Sequence, residues 1–106
     1  MEKIKESICL EGLDKILASE FPVNYYSLDG YSEEAVCLQK VDDSHWEVYV
    51  GIRNQHDDAI VYDDIIDACL GVIKKMVAGN LYEEQRLCNS FFDIMQIHTT
   101  YKVVAG

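Results

Sequence analysis

At Tyr62 the apolar side chains change their period, and one segment cannot serve both periods. From His45 to Arg53, Trp46, Val48, Val50 and Ile52 alternate with Glu47, Tyr49, Gly51 and Arg53, the spacing of a strand with one apolar face. From Ile65 onward, Ile65, Ile66, Cys69, Leu70, Ile73, Met76 and Val77 recur at helical spacing. Asp63, Asp64 and Asp67 near the start and Lys74 and Lys75 near the end suit the helix dipole, and Gly79 offers a stop. Sheet therefore gives way to helix at this point.

On the N-terminal side, Ile4, Ile8, Leu13, Ile16 and Leu17 share one helical face, and Pro22 discourages helix just before it, which predicts a helix over about residues 2–19. Short β-branched and aromatic runs follow at 23–28, 34–41, 45–53 and 58–62. They are separated by Asp29-Gly30, by Asp42-Asp43-Ser44 and by Asn54-Gln55-His56-Asp57. After Gly79, Asn80 suits a helix cap with Glu83 at the third position, and Leu87, Cys88, Phe91, Ile94, Met95 and His98 continue an apolar face. The tail from Thr99 to Gly106 reads as frayed or as a small edge strand. The predicted fold is α+β: an N-terminal helix, an antiparallel meander of three or four strands, and two C-terminal helices packed on one face of the sheet. On that packing Trp46, Val48, Val50 and Ile52 face the helices, and Glu47, Tyr49 and Arg53 face solvent.

The 106 residues suit a single domain over 1–106, and 49% hydrophobic content is enough for one small core. Charge interrupts the first twenty residues every few positions, unlike a secretory signal or a membrane span, so a cytoplasmic location is expected. Cys9, Cys37, Cys69 and Cys88 never form Cys-x-x-Cys and sit among apolar neighbours, as buried thiols in a reducing compartment do. Residues 29–67 hold eleven acids against Lys40 and Arg53, and so carry nine of the ten net negative charges. A field of that sign repels nucleic acid and anionic membrane and draws in a basic partner.

Chemistry leaves little mark. His45 and His56 near Cys37 or Asp57-Asp58 invite a metal reading, but no zinc or calcium ligand spacing is met, and no cofactor is expected. The six glycines are scattered rather than gathered into a phosphate cradle, and no nucleophile motif is present. Asp57-Asp58 would point to opposite faces of a strand, and Asp63-Asp64 open a helix. A non-enzymatic role follows.

Seven tyrosines are generous for this length, and Tyr25, Tyr26, Tyr31 and Tyr49 lie on or beside the sheet. Tyrosine gives contact area at low entropic cost, so Tyr49, with Glu47 and Gly51 on its own face, is the expected centre of a recognition surface. Trp46, Val48 and Tyr49 on the strand, Arg53 after it, Tyr62, and an acidic helix start leading to Asp67-Ala68-Cys69 together resemble small immunity proteins of bacterial polymorphic toxin systems. The likeness covers roughly residues 34–77. Several such families continue the strand as Glu-Arg-Gly, where this chain has Gly51-Ile52-Arg53-Asn54.

The resemblance implies an acidic cytosolic α+β domain that neutralises a cognate toxin by binding it. A basic nuclease is the natural counterpart, and an NAD-targeting enzyme is another. The partner-binding residues expected are Tyr31, Glu33, Asp42, Asp43, Glu47, Tyr49, Arg53, Asp57 and Asp58. No nucleic acid or membrane partner is expected, and the chain would be a monomer or homodimer. Two other readings stand beside it. One is an acidic mimic of nucleic acid; the other is a small regulatory or adaptor domain dimerising through a sheet edge or the last helix, where Phe91 and Phe92 are adjacent.

Overall fold

A computed structural model describes the backbone of residues 2–103 and the side chains of residues 6–103. Helix α1 spans Glu2–Glu20, a short 3₁₀ turn Val23–Tyr25 follows, and the strands are β1 (Tyr26–Ser27), β2 (Val36–Asp42), β3 (His45–Ile52) and β4 (Gln55–Tyr62). Helices α2 (Ile65–Val77) and α3 (Leu81–Met95) complete the α+β domain. Helix α2 lies on the sheet, and α1 and α3 pack against α2 and against each other.

The strands lie side by side in chain order, with β2–β3 and β3–β4 antiparallel. β1 pairs parallel to β2, Tyr26 opposite Val36, so the sheet is mixed rather than the antiparallel meander expected. The cause lies in residues 28–35. Asp29-Gly30 does not close a hairpin; Gly30 donates its N–H to the Leu38 carbonyl at 3.1 Å, and the chain continues as a loop to the far end of β2. The chain thus doubles back before β2 begins beside Tyr26, and the two strands run in the same direction.

The expected Asn54–Asp57 turn is also displaced. Its place is taken by a two-residue turn at Arg53-Asn54, both with positive φ (52° and 64°), which sets Ile52 opposite Gln55 and lengthens β4 to eight residues. Paired positive φ angles match the strand twist, which is why such turns are favoured in hairpins. Further along β4, Asp58 takes φ 53° and forms a bulge between the Val50–Asp57 and Val48–Ile60 pairs.

Trp46 and Val48 are buried under the helices as the alternation required, but Val50 is half-buried and Ile52 is 41% exposed, since it lies where the strand runs out into the turn. Along α1 Leu13, Ile16 and Leu17 are buried as expected, joined by Cys9, while Ile8, about 100° around the helix from Cys9, is exposed; the Ile4 side chain lies outside the described residues. Gly12 lets α3 approach closely, for a Cβ there would stand 3.1 Å from Ile94 Cγ2. Asp64 caps α2, accepting from the N–H groups of Ile66 (2.7 Å) and Asp67 (3.3 Å), and Asn80 caps α3, accepting from Glu83 at 3.1 Å. Helix α2 stops where Ala78 and Gly79 take positive φ.

Phe91 and Phe92 are both buried, so the adjacency that suggested a dimer contact has another explanation. The tail folds back along α3: Tyr101 exchanges two hydrogen bonds with the Asn89 amide (2.8 and 3.1 Å), its ring packs edge-on to Phe92, and its hydroxyl donates to the buried Glu84. His98 and Ile94, placed on the apolar face of the last helix by spacing, are exposed. No strand forms in the described tail, and residues 104–106 lie outside the described residues.

Candidate partner-binding face

The sheet face turned away from the helices is built on β2, β3 and β4, and the 31–35 segment packs over part of it. Tyr49, expected at solvent, is fully buried there, in a second small core with Ala35 and Cys37 and with Tyr31 packed against it. A period of two separates the faces of a strand without saying whether the second face stays wet. Gly51 is the residue that lets the loop in: a Cβ at that position would collide with the Ser32 carbonyl. Two backbone bonds fasten the contact, Glu34 N–H to the Gly51 carbonyl (2.7 Å) and Gly51 N–H to the Ala35 carbonyl (2.9 Å).

Over this core the aromatic rings stack. The Tyr49 and His56 rings lie 3.7 Å apart and 4° from parallel, and Tyr31 stands 6.3 Å from Tyr49 and 6.1 Å from His56. The Tyr49 hydroxyl donates to Gln39 Oε1 at 2.6 Å, and His56 Nδ1 sits 3.1 Å from Glu47 Oε1. Burial above all, then the neighbouring Cys37 and Glu47, pushes the Tyr49 phenol up to about 12. Burial likewise raises the Cys37 thiol, the reverse of what activates a cysteine nucleophile.

Tyr31 and Glu33 serve the fold directly. The Tyr31 hydroxyl donates to Glu33 Oε1 and accepts the Asn54 N–H (2.7 Å), while Glu33 Oε2 accepts the Arg53 N–H (2.9 Å). Both N–H groups of the tight turn are thereby satisfied, and these bonds, led by that from Tyr31, hold the Glu33 carboxyl below its usual value.

The nine expected contact residues fall into three groups. Tyr31, Glu33, Glu47, Tyr49 and Arg53 meet on the open face and at its turn, with Tyr49 beneath the surface. Asp42 and Asp43 lie at the other end of β3, where Asp42 accepts from Ser44 N–H (2.9 Å) and approaches His45 Nδ1 (2.8 Å), the backbone bond being the chief reason its carboxyl is lowered. Asp57 and Asp58 lie on the edge strand. Lys75 of α2 donates to both the Asp58 carbonyl and carboxylate at 2.8 Å, which lowers that carboxyl. His56, placed by the sequence in the 54–57 turn, is the side chain the spacing missed; once the turn is at 53–54, its pairing with Gly51 puts it on the face of Tyr49.

Among the described residues, no three His, Cys, Asp or Glu side chains converge as metal ligands, and no helix is long and apolar enough to cross a membrane. Ten of the eleven acids in residues 29–67 are exposed and Glu47 is half-buried. No family model, curated protein or solved structure matches this chain.

Proposed function

We propose that this chain is a recognition protein of the immunity type, one that neutralises a basic toxin domain by binding it through the open sheet face and its acidic rim. Support comes from the placement of charge: ten of the eleven acids of residues 29–67 are exposed, on the strands, their turns and loops and the start of α2, and among the described residues no helix packs on the outer face of the sheet. Concentrated charge of one sign speeds encounter with a partner of the other, which suits a protein that must capture a lethal enzyme quickly. Tyr49 acts here from below, as the floor on which His56 and Tyr31 are held, while Glu47, His56 and Tyr31 are the groups a partner meets. A nuclease, basic because it binds phosphate, fits the field best.

The test is capture from native lysate at low and moderate salt with mass spectrometry of what co-elutes, run in parallel with Asp43→Lys/Asp57→Lys. Neither acid has an ion-pair partner among the described residues, so this variant leaves the fold intact. A stoichiometric toxin domain, retained by the parent chain and lost by the variant, supports the reading. Recovery of only a DNA-binding protein favours the nucleic-acid mimic instead, and a partner held equally by the variant removes the role given to the charge.

A further inference from the structure

The edges of the sheet are unequal. On one side β1 has two residues; on the other β4 has eight, with β3 its only neighbour in the sheet among the described residues. Free edges in folded proteins are usually blunted by bulges, prolines, inward charges or a covering segment. On β4 the Asp58 bulge, clamped by Lys75, blunts the first half alone. The second half, Ala59–Tyr62, has no proline or charge, Ile60 is 45% and Val61 58% exposed, and no group from outside the sheet bonds to its backbone among the described residues.

We infer that Ala59–Tyr62 is a strand-addition site for an extended segment of a protein partner with a basic residue at each end of the paired stretch. This rests on the proposed function and names how the partner docks. Asp57 and Asp63 bracket the open stretch six positions apart, at most ~20 Å because the Asp58 bulge shortens the span, and both are exposed with no ion pair among the described residues. The other two acids nearby are engaged, Asp58 with Lys75 and Asp64 as the cap of α2. A second copy is the poorer occupant. Two chains paired antiparallel about Ile60 would set Asp57 of each against Asp63 of the other, like charges facing at both ends. A strand with lysine or arginine at those positions replaces both repulsions with attraction, and main-chain bonds supply the affinity.

The probe is the fluorophore-labelled heptapeptide Lys-Thr-Val-Thr-Val-Thr-Lys, titrated into the full chain, with amide shifts followed on isotope-labelled protein. Two controls accompany it: the same peptide with glutamate at both ends, and one with alternate backbone nitrogens methylated, which keeps the charge and removes the strand bonds. Binding that falls by about tenfold or more in each control, with shifts centred on residues 59–62, is the expected result. The inference is overturned by absence of binding, by equal binding of the methylated peptide, by shifts centred away from β4, or by a β4-paired dimer of the chain alone in sedimentation. The probe is synthetic, so failure here leaves the lysate capture to stand, and failure of the capture leaves this result to stand.

Discussion

Replacing Tyr49 with alanine separates the two possible placements of its face. A surface tyrosine would cost within about 0.5 kcal/mol. The ring is instead enclosed, packed on Cys37 and Ala35 below and on His56 above. An enclosed aromatic buries on the order of 150–200 Å² of surface, which at about 25 cal/mol/Å² gives about 4–5 kcal/mol, and about 3–4 once residual compactness of the unfolded chain is allowed for. Loss of the His56 stacking and the cavity left behind bring the expected cost to about 3–5 kcal/mol. A domain of this size has about 5–15 kcal/mol in total, so the melting temperature should fall by ~12–20 °C. Tyr49→Phe keeps the ring and loses the bond to Gln39, whose side chain is half-buried and can turn to water, for about 0.5–1.5 kcal/mol. Urea denaturation of both variants, with unchanged m-values, makes the comparison. An alanine variant within about 1 kcal/mol of the parent would refute the buried placement and return the odd-numbered face to solvent.

Arg53 adopts the left-handed conformation that asparagine and glycine accept more readily, so Arg53→Asn with Asn54→Gly should stabilise the β3–β4 turn by about 0.5–1 kcal/mol in thermal melts; a loss would mean that the Arg53 side chain contributes more than its backbone costs. Lys75→Met should let the Asp58 carboxyl rise toward its ordinary value, followed by NMR titration, with little change in the melting temperature because the Asp58 side chain is 75% exposed. Stability against pH should have two shoulders. Glu33, Asp42 and Asp58 have lowered values, so what they contribute is present above about pH 4 and lost as pH falls through their folded values, with the raised Asp67 opposing in that range. Tyr49 is raised, so the folded state holds its proton more tightly and stability falls as pH climbs from about 10 to about 12, with the raised Cys37 thiol adding to the loss from about pH 9. Denaturation midpoints that stay flat across the alkaline window would contradict the enclosure of these groups.

Local rules carried much of the fold into the sequence. The change of period at Tyr62, the acidic start of α2, the cap at Asn80, and the burial of Trp46 and Val48 depend on neighbours within a few positions, and they stand in the structure as read. The displaced features depend on contacts between distant segments. Nothing near Tyr49 indicates that a loop twenty residues upstream will cross above it; that follows from Gly51 having no Cβ to obstruct Ser32. The place of the hairpin turn was hidden for a similar reason, because the partners that satisfy the Arg53 and Asn54 N–H groups are Glu33 and Tyr31. With the turn at 53–54, His56 joins β4 opposite Gly51 instead of lying in the loop, and with that went the reading of His56. The cover over Phe92 was hidden because the tail that supplies it shows no period of its own.

Burial of Tyr49 also changes how recognition would work on the proposed reading. A ring exposed among acids could serve as an anchor filling a pocket on the partner; a ring locked between Cys37 and His56 cannot leave its site. What it offers is rigidity, since Glu47, His56 and Tyr31 are held before any partner arrives and less freedom is lost on binding. The free charges, Asp43, Asp57 and Asp63, sit on turns and at the sheet edge, and charges at a rim act chiefly on encounter. The two contributions should therefore separate in kinetics. Asp43→Lys should slow association and flatten its salt dependence with little change in dissociation, whereas Glu47→Gln, which weakens the hold on His56, should speed dissociation and leave the salt dependence intact. If both variants changed only the association rate, the open face would be a source of field rather than a contact surface, and the binding contacts would have to be sought along β4 alone.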